Sequence, residues 1–165
     1  MPRILFVCTG NMARSPLALG LMRVGLADCG IAGVEVESAG INAVVGSAPT
    51  PNAVRVAAAY GADIREHVAR QFEREWFARF DQVYALDAMH LEFLRDVRPK
   101  DHAGTLSLLP ARRGARGLDV FDPFGRSRRA YARAAGLIAE GVGVILAGML
   151  ERASAARQPG VQRAR

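Results

Sequence analysis

Cys8 and Arg14 bracket five residues, Thr9-Gly10-Asn11-Met12-Ala13, and Ser15-Pro16 follow at once. The cysteine brings a nucleophile. The arginine brings a planar fork that can hold two oxygens of a tetrahedral oxyanion, which the point charge of lysine does not reproduce. In a short loop between them, successive amides can turn inward and add further donors for an anion, with Gly10 expected to give the backbone freedom to curve. A cysteine in such a positive field is expected as the thiolate, the form that attacks at neutral pH. The ligand that suits this arrangement is a phosphate dianion.

The loop works only if it leaves a buried strand and enters a helix amino end. Ile4-Leu5-Phe6-Val7 is short, apolar throughout and not alternating, which predicts a strand covered on both faces. Ser15-Pro16 reads as a serine N-cap with proline at the first helical position, opening a helix to about Cys29 that Gly30 stops. Val34–Glu37 alternates and predicts a second strand, parallel to the first because a helix intervenes. A long loop over 38–52, a helix over Ala53–Tyr60 closed by Gly61, and a short helix over Glu73–Phe80 follow. Then come a strand over Gln82–Leu86, a helix over Ala88–Val97 capped by Asp87, and a strand over Leu106–Leu109.

After a loop over Pro110–Gly125, Tyr131, Ala135, Ile138, Val142, Ile145 and Met149 stand at helical spacing in a helix from Ser127 to about Ser154. The expected fold is α/β, a three-layer αβα domain with a central four-stranded parallel sheet and the phosphate loop after its first strand, where ligands bind at strand carboxyl ends. Residues 1–154 form the expected single domain, and 155–165 a flexible tail.

A chain of 165 residues, 50% of them apolar, suits one such domain. The apolar run Ile4 to Cys8 is too short for a signal-peptide core, so no secretion signal is expected. Ala134 to Leu150, interrupted by Glu140 and glycines, falls short of the roughly 20 residues of a membrane span and reads as a buried helix, so no membrane insertion is expected. The 2 cysteines, Cys8 and Cys29, cannot build a disulfide framework and fit free thiols in the cytoplasm, with Cys29 expected as a small buried hydrophobe. The formal charge of +6 gathers at Arg112, Arg113 and Arg116 and at Arg126, Arg128 and Arg129. No nucleic-acid motif accompanies it, so it reads as a solvated surface whose field favours anionic substrates. Gly141, Gly143 and Gly148 have the wrong spacing for a dinucleotide loop. His67 has no ligand-spaced partner, His90 and His102 read as surface residues, and no metal or cofactor is expected. Trp76, Phe77 and Phe80 read as core.

A phosphoryl group leaving a phenol needs a proton on the departing oxygen. Asp119 and Asp122 are the candidate donors. Pro123 restrains Asp122 to an extended backbone, but on local chemistry either aspartate fits a turn equally well.

The run Phe6-Val7-Cys8-Thr9-Gly10-Asn11-Met12-Ala13-Arg14-Ser15-Pro16 resembles the loop of low-molecular-weight protein tyrosine phosphatases, and Asp122-Pro123 resembles that family's general-acid motif. Ser38-Ala39-Gly40, Gly46, Pro49, His67 with Ala69-Arg70-Gln71, and Asp87 fall where members carry similar residues. The resemblance implies hydrolysis of phosphotyrosine through a phosphocysteine intermediate, without a metal: Cys8 attacks, Asp122 acts as acid and then base, and Arg14 binds the phosphoryl group. It implies that Thr9, Gly10, Asn11, Met12, Ala13 and Ser15 contact the phosphate, that Ser15 also caps the helix and bonds the departing thiolate, and that Asn11, Ser38 and His67 brace the loop. Val44, Val45 and Phe124 join Thr9 and Met12 as the expected apolar substrate rim.

Several departures narrow the resemblance. Ala13 stands where many members carry a second cysteine, so Cys8 is expected to lack a neighbouring thiol to trap its oxidised form. Phe124-Gly125 replaces the paired tyrosines of animal members, and 38–46 lacks the tryptophan some members place against the substrate ring. The chain is more similar to bacterial enzymes paired with exopolysaccharide tyrosine kinases, which implies a phosphotyrosine protein, such as a tyrosine autokinase, as partner. An arsenate reductase would need two cysteines beyond Cys8. A phosphoarginine phosphatase is expected to have threonine at Met12. A non-catalytic phosphate-binding module would leave Arg14 and Asp122 together without a purpose.

Overall fold

The structure, a computed structural model, describes residues 2–112 and 117–157. Arg113 and Arg116 of the first basic cluster and the expected tail beyond Arg157 lie outside the described residues. Four strands, β1 (Arg3–Cys8), β2 (Glu35–Gly40), β3 (Gln82–Ala85) and β4 (Thr105–Leu108), form one parallel sheet in the order β2-β1-β3-β4. Helices α1 (Arg14–Asp28), α2 (Pro51–Ala59) and α4 (Arg128–Arg157) pack on one face. Helix α3 (Ala88–Val97) and a 3₁₀ turn, Arg74–Ala78, cover the other. The three-layer αβα reading of the sequence matches this architecture.

β1 is buried from Ile4 to Cys8 because its side chains alternate between two cores. Ile4, Phe6 and Cys8 enter the core with α1, α2 and α4, whereas Leu5 and Val7 pack with Val83, Ala85, Leu91, Leu94 and Phe77. The chain leaves β1 towards β2 and leaves β3 towards β4, in opposite directions along the sheet. A crevice therefore opens where the carboxyl ends of β1 and β3 meet, the place where open parallel sheets bind ligands.

Helix α1 ends as its sequence predicts. Gly30 adopts φ +64°, and the amides of Gly30 and Ile31 return to the carbonyls of Ala27 and Leu26. Its start differs from the prediction: the N-cap is Ala13, with no side-chain cap, because the Ser15 hydroxyl is engaged beneath the loop. β2 continues to Gly40 and α2 begins at Pro51 with Thr50 as cap, so the expected 38–52 loop is shorter at both ends. α4 runs to Arg157, three residues past its expected end, and is long and apolar enough to pass as a membrane span. Its apolar stripe, Tyr131 to Met149, is instead buried in the core with α1 and α2. Phe77 and Phe80 are buried and Trp76 half-buried, as core residues should be, but Cys29 is exposed. It sits at the far end of α1, about 20 Å of helix from the Cys8 loop.

Candidate active site

The loop after β1 sorts its backbone groups by type. Every carbonyl from Cys8 to Ala13 has a donor in the scaffold: the amides of Ile41, Asn42, Val44, Thr50 and Leu17 reach Cys8, Thr9, Gly10, Met12 and Ala13, and His67 Nε2 reaches Asn11 at 3.1 Å. Among the described residues, no backbone N–H from Thr9 to Ser15 donates to a protein atom. Buried amides are almost always paired, so a run of free ones beside a helix amino end is an anion cradle.

Gly40 makes this possible. A Cβ there would lie 2.3 Å from the Thr9 carbonyl oxygen, so only glycine lets the end of β2 run under the loop. The expected pivot, Gly10, has open space around it and no left-handed backbone. Asn11 takes that conformation instead, with φ 57°. Its side chain offsets the strain by bonding fully: Oδ1 accepts from Arg70 N, while Nδ2 donates to Ser15 Oγ at 2.8 Å and Ser38 Oγ at 2.9 Å.

Cys8 is 2% exposed, and its Sγ lies 2.9 Å from Ser15 Oγ at the base of the cradle. Ser15 Oγ accepts from Asn11 Nδ2 and has one hydrogen to give, either to the Ala39 carbonyl at 3.3 Å or to the sulfur. A thiol can donate to Ser15 while Ser15 donates to Ala39. A thiolate can take the Ser15 hydrogen itself.

Arg14 is 3% exposed and held by four groups. Nη1 donates to Asp87 Oδ2 at 2.8 Å and to the Val120 carbonyl at 3.0 Å, while Nη2 lies 3.4 Å from Thr9 Oγ1 and 3.2 Å from Asp122 Oδ2. Burial pushes the Asp87 carboxyl up, but hydrogen bonds from His90 and Arg14 outweigh it and hold the group well below the usual carboxylate range. Asp122 is half exposed, with Oδ1 fixed by the Phe124 amide at 3.0 Å. Asp119 faces elsewhere, its Oδ1 lying 3.4 Å from the Ala88 amide at the start of α3.

The cavity over the cradle has a volume of about 230 Å³, with Cys8, Ala13 and Arg14 at its base and Val44, Asp122 and Phe124 on its walls. Thr9, Gly10 and Met12 also line it, whereas Asn11 and Ser15 lie buried beneath the loop and Val45 stands outside, exposed. Ser38 and His67 brace Asn11 from below. Burial lowers the His67 pKa, and Arg70 and Arg23 add to this against the opposing bond to Asn11. The sequence reading missed Asn42, which lines the wall, and misplaced His90, which is fully buried beside Thr9 and Asp87. Asn11, Arg14, Ser15, Ser38 and His90 are the buried polar or charged residues among the described residues, and all belong to this site.

The model of the family described as low molecular weight phosphotyrosine protein phosphatase matches residues 3–155. A low molecular weight protein-tyrosine-phosphatase of Streptomyces coelicolor is 43% identical over 131 residues, 74% of this chain and 77% of that protein. A probable enzyme of the same description, EpsP of Ralstonia nicotianae, is 34% identical over 84% of this chain and 90% of its own. The crystal structure of a low molecular weight phosphotyrosine phosphatase from Vibrio cholerae superposes with a TM-score of 0.84 at 28% identity, covering 92% of this chain and 99% of that one.

Proposed function

The chain belongs to the low molecular weight phosphotyrosine protein phosphatases and is an enzyme of that class, and from that premise we propose that it hydrolyses phosphotyrosine monoesters in proteins through a phosphocysteine intermediate on Cys8. The observation that carries this reading is the sorting of the loop backbone, with carbonyls tied to the scaffold and amides free around the Cys8 sulfur.

In the first step the Cys8 thiolate attacks phosphorus and the bond to the phenolic oxygen breaks. Arg14 and the loop amides hold the equatorial oxygens, over which the charge is spread in both transition states, and such positioning and electrostatic stabilisation is where phosphoryl transfer gains most of its rate. The phosphoryl group takes the Nη2 hydrogen that faces Asp122 in the free site, and Asp122, held by Phe124 N, gives its proton to the departing oxygen. In the second step Asp122 accepts a proton from water as the water attacks phosphorus. Inorganic phosphate leaves, and the Ser15 hydroxyl, 2.9 Å away, donates to the released thiolate. Charge is balanced at every stage by Arg14, the amides and Asp122, and the reaction so written calls on no metal or cofactor.

The depth of the site supports phosphotyrosine over phosphoserine. Cys8 is buried at the base, while Val44 and Phe124 are exposed at the rim. An aryl ester spans that depth and buries its ring against the rim; the shorter ester of serine reaches neither. The substrate in this reading is a phosphotyrosine protein such as a bacterial tyrosine autokinase. The cytoplasm is its place, where Cys8 stays reduced.

Hydrolysis of p-nitrophenyl phosphate with a chelator present, in the wild type, Cys8→Ser and Asp122→Ala, tests the chemistry. Activity surviving in Cys8→Ser, or absent from the wild type, overturns the reading. Phosphotyrosine, phosphoserine and phosphoarginine peptides compared on the wild type test the substrate class, and faster turnover of either of the last two overturns that part.

A further inference from the structure

We propose that His90 is a positioning residue for Arg14, acting through the Thr9 hydroxyl and the Asp87 carboxylate; this rests on the phosphatase reading above. His90 lies in the first turn of α3 with 0% exposure. Its Nε2 is 2.8 Å from Thr9 Oγ1, on a loop 81 residues away in sequence. Its Nδ1 is 3.0 Å from Asp87 Oδ1, close but poorly aligned.

Helix capping does not require this ring. The backbone amide of His90 already satisfies the cap, donating to Asp87 Oδ1 at 2.8 Å. An apolar side chain would fill the same space without bringing two polar nitrogens into the interior.

Donors, acceptors and the carboxylate beside Nδ1 together favour one arrangement of the bonds. The Arg14 guanidinium can only donate, so Thr9 Oγ1 accepts from Nη2 and its own single hydrogen is available for His90 Nε2. Nδ1 faces the Asp87 carboxylate, which favours the ring proton there over a second lone pair, and in that neutral tautomer Nε2 presents its lone pair to the Thr9 hydrogen. Asp87 Oδ2 accepts from Arg14 Nη1. Arg14, Thr9, His90 and Asp87 thus form a closed ring across the crevice between β1 and β3.

The ring governs which Arg14 hydrogens meet the phosphoryl group. Both Nη1 hydrogens are taken by Asp87 and Val120. Once Asp122 turns to the departing oxygen, Thr9 is the remaining anchor on the Nη2 side, and His90 aims the Thr9 lone pair. The effect of His90 therefore falls mainly on the transition state, and on kcat more than on KM.

The test uses the whole protein as wild type, His90→Leu, His90→Gln, Thr9→Val and the His90→Leu/Thr9→Val double variant. Turnover of p-nitrophenyl phosphate and calorimetric binding of vanadate are measured, with folding checked by thermal melting. His90→Leu should lower kcat and weaken vanadate binding roughly tenfold each while KM moves by less than about threefold. His90→Gln, whose amide reaches the Nε2 position, should recover most of the loss, Thr9→Val should match His90→Leu, and the double variant should be no worse than either. Values for His90→Leu within about twofold of wild type overturn the proposal, as do losses that multiply in the double variant. If His90→Leu does not fold, His90→Met takes its place, filling the space without a ring nitrogen: a loss not added to by Thr9→Val supports the ring and parity overturns it. A wild type that binds vanadate without turning over breaks the phosphatase reading yet leaves the ring measurable by binding; one that does not bind vanadate overturns both.

Discussion

Two concavities lie at opposite ends of the sheet. The one over the Cys8 loop, at the carboxyl ends of the strands, encloses about 230 Å³. The other, at the amino ends of β3 and β4, encloses about 510 Å³ between Arg74, Phe77, Asp81, Pro99 and His102. The larger one holds less chemistry. Several of its polar groups serve the scaffold: Asp81 accepts from the Arg3 amide, Arg74 donates to the Val97 carbonyl, and the carbonyls of His102 and Gly104 accept from Arg98, while His102 sits edge-on to Phe77 with centroids 4.9 Å apart and its Nε2 unpartnered. At the smaller one a helix amino end and a run of free amides converge on a sulfur and an arginine. In a parallel sheet crossed by helices the carboxyl ends of the strands face helix amino ends, so the positive field falls on one side of the molecule. Volume does not locate the site, but a run of unpaired backbone amides does.

The comparison breaks most easily at Arg14. Arg14→Lys keeps the charge and loses the fork, and kcat/KM should fall roughly a thousandfold in a folded protein. A fall below tenfold would mean that positive charge alone distinguishes the two concavities. Asp122→Ala comes next, with a loss of about a hundredfold on phosphotyrosine and clearly less on p-nitrophenyl phosphate, whose leaving group needs less protonation. Equal losses on both substrates would remove Asp122 from the acid role.

Acid stability probes both ends at once. Burial lowers the pKa of His67 under the loop and of His102 in the far cleft below the ordinary 6.5. The folded state then binds fewer protons than the unfolded chain between each lowered value and 6.5. The stability each neutral ring contributes is present above that window and is lost as pH falls through it. Urea unfolding between pH 7.5 and 5 should therefore show a smaller acid loss in His67→Gln than in wild type, an effect of about 1 kcal/mol or less. An unchanged slope would place His67 outside the desolvated shell. The smallest effect is expected from His102→Ala, with kcat/KM within about twofold of wild type. A larger change would couple the far cleft to the loop.

The parts of the site that a short stretch of chain can specify were readable from it. Cys8, the five residues to Arg14 and the Asp122-Pro123 pair are local patterns, and helix α3 with its Asp87 cap falls where the sequence places it. Some signals were present but outweighed. Thr50-Pro51 is a cap followed by proline at the helix start, yet it sits among glycines and prolines that favour a loop reading. Ser38-Ala39-Gly40 lacks β-branched residues but extends β2 because the loop above requires a strand to run beneath it. Ser15-Pro16 shows the reverse: the serine looks like a cap, and its hydroxyl instead bonds Asn11 and reaches the Cys8 sulfur.

Sequence alone determined the loop that Cys8 and Arg14 bracket and the alternation of strands and helices, because each depends on residues a few positions apart. Tertiary structure decided that Asp87 and Asp122 reach Arg14 while Asp119 faces the start of α3: Asp87 lies 73 positions from Arg14 and the Val120 carbonyl 106. It also decided that His90 is interior and that the loop carbonyls turn away from the sulfur. Those outcomes come from the pairing of β1 with β2 and β3, which brings distant polar groups into a shared dry space where each must find a partner. No periodicity along the chain records that requirement.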